Sequence, residues 1–200
     1  MIVVNELYTI GYAGFCIQDF IDLLKYKKIQ VVIDIRSIPY SKHFSEYNKE
    51  NLQAFLKGYD IYYRNYAKEF GAQQENKDYY SEEGFLDFKE FSLSESFKSG
   101  INKLKTIMEK DYVFVLMCSE KDPFECHRSI MVSRSFEKSV YRVNHLLLNG
   151  DVITQEKIED RLLDKYFPNK QLSLFGTDTL AQAYRKRNFE IGHRSQDLEQ

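Results

Sequence analysis

Between Cys118 and Ser129 the chain reads Cys-Ser-Glu-Lys-Asp-Pro-Phe-Glu-Cys-His-Arg-Ser. Two thiols, an imidazole, carboxylates and a guanidinium thus crowd into one short stretch. Side chains of these types can transfer protons, attack an electrophile or hold an anion. The stretch follows the apolar run Val113 to Met117, which reads as a buried strand, and precedes residues 128–138, which read as a helix. An anion is expected at the helix N-terminus, where free N–H groups and the helix dipole favour it and Arg128 adds a fork of donors. The same field would lower the pKa of Cys126, and that of Cys118 if the loop folds back. Glu120 is the expected general acid or base, and Cys118 a pocket-lining thiol of nucleophilic use. Cys126, His127 and Arg128 are expected to contact the ligand.

Two better-defined chemistries fit less well. Strand, Cys, loop, Arg, Ser, helix is also the order found in tyrosine phosphatases and rhodaneses. Here nine residues separate Cys118 from Arg128 and the loop has no glycine, whereas a loop that cradles an oxyanion is normally short and glycine-bearing. Cys118, Cys126 and His127, joined by His43 or His145, make a metal-ligand set in type. The C-x7-C-H spacing is not a standard zinc spacing, and neighbours in sequence seldom both face one ion. No metal and no other cofactor is therefore expected. His43 and His145 read as hydrogen-bonded structural residues.

The elements that position these groups follow from periodicity. Leu7 to Ile10 is a short strand ending at Gly11-Tyr12-Ala13-Gly14. Ile17, Phe20, Ile21 and Leu24 mark one helical face. Val31, Val32, Ile33 and Ile35 form a β-branched run of the kind buried on both faces. Leu52, Phe55 and Leu56 mark a helix stopped at Gly58, and Ile61 to Tyr63 a third strand. Residues 66–92 are polar, aromatic and aperiodic, and read as an insertion or lid. Phe97, Ile101, Leu104 and Met108 restore helical spacing. Val140 to Leu148 reads as the fifth strand and 154–166 as a helix. Strand alternating with helix implies a doubly wound α/β fold, a mostly parallel five-stranded sheet in a Rossmann-like three-layer sandwich over residues 1–167. A tail over 168–200 ends in a basic helix opened by Thr179 to Gln182, with Arg185, Lys186, Arg187 and Arg194 on or beyond it.

In such sheets ligands gather beyond the carboxyl ends of the strands. Gly11 and Tyr12 from the first strand, and Asp34 and Arg36 from the second, join the expected ligand site on that rule. Asp34 and Arg36 share one side of their strand. They read either as a salt bridge steadying the switch region or as an arginine oriented toward an anion. Gly11 and Gly14 form no dinucleotide fingerprint, and no phosphate-loop lysine motif exists.

Composition narrows the class. The 200 residues are 43% hydrophobic and 29% charged, with net charge −2, so any nucleic-acid contact must be local. Three cysteines, Cys16, Cys118 and Cys126, are too few and too odd for a disulfide framework. No apolar run spans a bilayer and no secretory leader is evident. A cytoplasmic protein with no membrane association is expected.

Taken together, Thr9-Ile10-Gly11-Tyr12, Asp34-Ile35-Arg36-Ser37-Ile38-Pro39, Leu116 to Pro123, Cys126-His127-Arg128 and Val143-Asn144-His145 resemble the bacterial and archaeal family called domain of unknown function 488. The likeness runs over roughly residues 7–165. It departs at Tyr12, where the family usually shows His, and at Asn144, where an apolar residue is usual. The resemblance implies a Rossmann-like fold and brings no established reaction. In the tail, Gln171-Leu172-Ser173-Leu174-Phe175 resembles the peptide by which bacterial polymerases and repair proteins bind the DNA sliding clamp. Leu174 and Phe175 would enter an apolar pocket with Gln171 at its rim and Leu172 between. The expected function is binding or processing of a nucleotide or nucleic-acid end, with Arg36 and Arg128 on the phosphate and the clamp as partner. The alternatives are a thiol- or metal-dependent enzyme on a small anionic substrate, and an anion-binding module without turnover.

Overall fold

Strand formation is clearest at Val31–Asp34 (β2) and Phe114–Cys118 (β4), in which every residue is buried. The computed structural model describes residues 5–136, 141–168 and 179–195. Around β2 and β4 it builds a sheet with Asn5–Gly11 (β1), Tyr62–Asn65 (β3), Tyr141–Leu146 (β5) and Val152–Thr154 (β6). The order is β3-β2-β4-β1-β5-β6. The first five strands run parallel, as expected. The sixth was not anticipated: Val152–Thr154 pairs antiparallel to β5, its three residues being too short a run to show periodicity.

Helices cover both faces. Ile17–Tyr26 (α1) and Lys49–Lys57 (α2) lie on one, over Ile10, Val32, Val115 and Met117. Cys16 caps α1, its sulfur accepting from the Asp19 N–H at 3.4 Å. Ala67–Phe70 (α3), Phe88–Ser92 (α4), Glu95–Glu109 (α5), Gln155–Tyr166 (α6) and Thr179–Ile191 (α7) follow along the chain. Buried side chains of α3, α4, α5, α6 and α7 belong to the core of the second face, with Ile33, Ile35 and Leu116. Residues 66–92 contribute to that core at their two ends through Phe70, Leu86, Phe88 and Phe91, with Phe85 also buried, while 72–84 between them are exposed or half-buried. Their periodicity is invisible because α3 and α4 are about one turn each. The tail helix is likewise part of the fold, with Ala183 and Tyr184 buried.

A buried polar chain ties these layers together. Thr9 Oγ1 lies 2.7 Å from His145 Nδ1, and His145 Nε2 lies 2.8 Å from Gln155 Oε1. Gln155 Nε2 donates to the Tyr184 hydroxyl, which donates to Glu159 Oε1. The amide oxygen can only accept, so His145 carries its proton on Nε2 and takes the Thr9 hydroxyl on Nδ1. His145 is thus structural, as the sequence reading has it. Burial, then the charge of Arg128, lowers its pKa from 6.5 to about 3. The unfolded chain therefore binds a proton that the folded chain refuses, and stability must fall as pH drops below 6.5. This group alone should cost about 2 kcal/mol between pH 7 and pH 5. Urea denaturation at both pH values checks this; a His145→Gln variant with the same slope as wild type would refute the assignment.

Candidate functional site

Because neighbouring strands are parallel, the ends of β1, β2 and β4 open on one edge, with Gly11 paired to Cys118 and Asp34 to Met117. Beyond β4 the chain turns back through a 3-10 turn at Pro123–Glu125 into a π-helical turn at Arg128–Val132 and a 3-10 turn at Ser133–Ser135. Within the described residues the helix expected over 128–138 takes π-helical form over Arg128–Val132 and 3-10 form over Ser133–Ser135. The amides at its start are also occupied, since the N–H groups of Ser129 and Ile130 both donate to the Cys126 carbonyl. The array of free donors expected there for an anion is absent.

This reversal brings four side chains to one point. Ligand atoms of Cys118, Glu120, Cys126 and His127 lie within 4.8 Å of one another. Glu120 Oε2 is 3.0 Å from Cys118 Sγ and 2.9 Å from Cys126 Sγ, and His127 Nδ1 is 3.7 Å from Cys118 Sγ. Both cysteines and His127 are buried, whereas Glu120 keeps an exposed flank while its Oε2 faces the sulfurs. His127 Nε2 lies 3.2 Å from the Ile35 carbonyl. That oxygen can only accept, so Nε2 bears a proton and Nδ1 faces the thiols.

The local charges divide the protons unevenly. Burial pushes the Cys118 thiol up, and Cys126 and Glu120 add to it. Burial also opposes the Cys126 thiolate, yet Cys126 ends well below the ordinary thiol range. The Cys118 sulfur, the Arg128 charge and His127 together outweigh the burial, and the Arg128 N–H donates to Cys126 Sγ at 3.4 Å. Glu120 is raised by burial and then by Cys126. His127 is raised too, because Cys126 and Glu120 outweigh the desolvation that opposes its charge.

The arginines work on the loop. Arg128 is fully buried, and its guanidinium donates to the carbonyls of Glu120 at 2.6 Å and Lys121 at 3.1 Å. Arg161 of α6 forks onto Asp122 at 2.9 and 2.7 Å. Arg187 of α7 donates to the Phe124 carbonyl at 3.0 Å and pairs with Glu125. It is 2% exposed, so of the basic residues expected on the tail helix Arg187 faces inward. No sequence signal marks it, since an arginine on a helix normally reads as solvated.

Asp34 and Arg36 sit apart from the cysteines, against residues of the α1–α2 core. Arg36 Nε and Nη2 grip the Asp34 carboxylate, at 2.9 Å to Oδ1 and 2.6 Å to Oδ2, and Nη2 also donates to the Tyr47 carbonyl at 2.8 Å. The Tyr63 hydroxyl donates to Asp34 as well. Arg36 Nη1 is buried with no hydrogen-bond partner among the described residues. Tyr12 stacks on Tyr47 at 4.3 Å and faces the Arg36 guanidinium at 5.1 Å. Gly11 lies directly under the Glu120 backbone, so no ligand fits between them. Ile35 links the two groups through its carbonyl, a contact that residue types alone do not reveal. His43 is exposed. Gln171, Leu172, Leu174 and Phe175 lie outside the described residues.

The donor set fits an ion of the zinc type. Ligands at about 2.0–2.3 Å around a tetrahedral ion stand roughly 3.3–3.8 Å apart. Cys118 and His127 already have that separation, and Glu120 need retreat from the sulfurs by only about half an ångström. Metal-bound histidines typically give their second N–H to a carbonyl or carboxylate, as His127 does to Ile35. Cys126 and His127, neighbours in sequence, both turn toward this point because the extended Cys126 backbone, φ −130° and ψ 139°, passes directly into the turn at His127.

No curated protein and no solved structure matches the chain. The family model described as Domain of unknown function DUF488 matches residues 16–134, 119 of the 200 residues, which include both the Asp34–Pro39 and the Cys118–Arg128 motifs. With more than half its length covered by that match, the chain belongs to the DUF488 family.

Proposed function

We propose that this chain is a metal-dependent enzyme acting on a small anionic substrate, with a divalent ion held by Cys118, Cys126 and His127, the fourth position left to the substrate, and Glu120 beside it as the proton carrier. One observation carries the reading: four soft and hard donors, one at the end of β4 and three from the reversal beyond it, converge within 4.8 Å, with the histidine already oriented by a backbone carbonyl. The reading is preferred to a phosphate clamp of Arg36 and Arg128, because most donors of Arg128 hold the loop carbonyls and most donors of Arg36 hold Asp34 and the Tyr47 carbonyl. Such an ion, when bound, supplies Lewis-acid polarisation of a substrate oxygen. The chain's own residues do the rest. Cys118 and Cys126 fix the charge of the site, and Arg128 holds the loop that carries Glu120. Glu120, with its exposed flank, takes or returns a proton at its carboxylate as a substrate enters.

The test is elemental analysis of the purified full chain, followed by cobalt substitution. One equivalent of zinc-like metal, and thiolate-to-cobalt absorption in the near ultraviolet, are expected. Metal-free protein that takes up no ion, but whose Cys126 is alkylated rapidly at neutral pH, would replace this reading with a purely thiol-dependent one.

Recruitment to DNA through Gln171–Phe175 is a separate proposal that rests on the sequence match. Calorimetric titration into a bacterial sliding clamp should show micromolar binding that a Leu174→Ala/Phe175→Ala variant loses. A folded wild type that releases no heat would end it.

A further inference from the structure

The opposite edge of the sheet carries a feature that the site does not use. The strands β2, β3 and β4 are neighbours, and each is entered from a helix through the same turn. Lys28, Asp60 and Asp111 adopt left-handed backbone conformations with φ of 56°, 59° and 59°. The following N–H of Ile29, Ile61 and Tyr112 returns to the carbonyl of Leu24, Leu56 and Ile107 respectively. This is the Schellman arrangement made three times. Because the strands are parallel, all three turns lie side by side.

They bring exposed rings and cations to one end of the sheet. Tyr26 is 78% exposed, Tyr62 56% and Tyr112 41%. Lys25 lies over the Tyr59 ring at 5.3 Å, Lys27 over Tyr26 at 5.3 Å and Arg64 over Tyr62 at 5.9 Å. A hollow of about 430 Å³ is lined by Tyr62, Tyr66, Tyr112, Arg64 and Lys110 together with neutral residues, and by no acid. Across the three turns and the start of β3, six cations (Lys25, Lys27, Lys28, Lys57, Arg64 and Lys110) face three acids (Asp60, Glu109 and Asp111), in a chain whose net charge is −2.

Cations at helix C-termini alone would only answer the helix dipole. The rings are what single out a ligand. Solvent-facing tyrosines interleaved with cations match bases interleaved with phosphates, and stacking of this kind tolerates any base. We propose that this edge binds single-stranded nucleic acid, with bases on Tyr62 and Tyr112 and phosphates on Arg64, Lys110 and the lysines that end α1. An acidic peptide would satisfy the cations and leave the rings bare.

The probe is fluorescence anisotropy of the full chain with a short labelled oligothymidylate at low and moderate salt. Binding should weaken with salt. A Tyr62→Ala/Tyr112→Ala variant, shown folded by circular dichroism, should bind about fivefold more weakly or worse. A Lys27→Glu/Lys110→Glu variant should lose binding as well. The proposal is overturned if wild type does not bind, if the folded tyrosine variant binds as wild type does, or if polyglutamate competes as well as unlabelled oligonucleotide. None of these outcomes depends on metal, so they stand or fall apart from the site at the other edge.

Discussion

Replacing Cys126 with serine should abolish stoichiometric metal binding while leaving a folded chain. Serine nearly preserves the volume, but its hydroxyl stays protonated where the Cys126 thiol is already driven toward thiolate by the Cys118 sulfur, Arg128 and His127. Loss of partners in the outer shell of a metal site commonly weakens affinity 10–100-fold, and loss of a direct ligand should cost more than about 100-fold. The effect should also appear in stability. Zinc at about a hundred times its dissociation constant should raise wild-type stability by about 2.7 kcal/mol. The Cys126→Ser chain should gain nothing from the same zinc. Thermal denaturation with and without zinc, beside a direct competition titration, measures both quantities. A Cys126→Ser chain that binds and is stabilised like wild type would remove the cysteine from the site. A Cys16→Ser chain serves as the control, since Cys16 is an exposed cap on α1.

Gly11→Ala is expected to be the most damaging alanine substitution among the described glycines. A Cβ at Gly11 would stand 1.7 Å from the Glu120 carbonyl oxygen, 2.7 Å from its carbon and 2.9 Å from Arg128 Nη1. Two of these obstacles are backbone, which cannot swing aside as a side-chain tip can. The third belongs to the buried guanidinium that holds the same carbonyl. Overpacking usually costs about 1–3 kcal/mol, and a backbone collision should reach or pass the upper end. The loop would have to lift from β1, breaking the bonds from the Tyr12 N–H to the Cys118 carbonyl and from the Ala13 N–H to the Ser119 carbonyl. Chemical denaturation reads the stability, and the metal titration reads the displacement of Glu120. Gly150→Ala, where no atom lies within 4 Å but φ is 82°, gives the cost of backbone strain without collision. If Gly11→Ala cost no more than Gly150→Ala, the close approach of loop and strand would be refuted.

The residues of the site were legible as types, and their arrangement was not. Cys118, Glu120, Cys126 and His127 stand out because a buried strand leads into a charged loop. The spacing argues against an ion, and it does not show that the reversal through a 3-10 turn and a π-helical turn brings the four donors together. Arg36 and Arg128 show what residue types leave open. An arginine near a strand end suggests an anion, but whether its donors are free depends on carbonyls and carboxylates brought from elsewhere, here Glu120, Lys121, Asp34 and Tyr47.

By itself the sequence determined the alternation of strands and helices, the parallel sheet and its two covered faces. Those depend on the period of apolar residues, a local quantity that each segment carries with it. Only the tertiary structure decided that Gly11 underlies Glu120, that Ile35 orients His127 and that Arg187 leaves the solvent to hold Phe124. It alone also decided that three helix-to-strand turns share one edge. Each of these is a contact between segments far apart in the chain, fixed by strand order and register, and no local pattern encodes which distant partner a buried polar group will find.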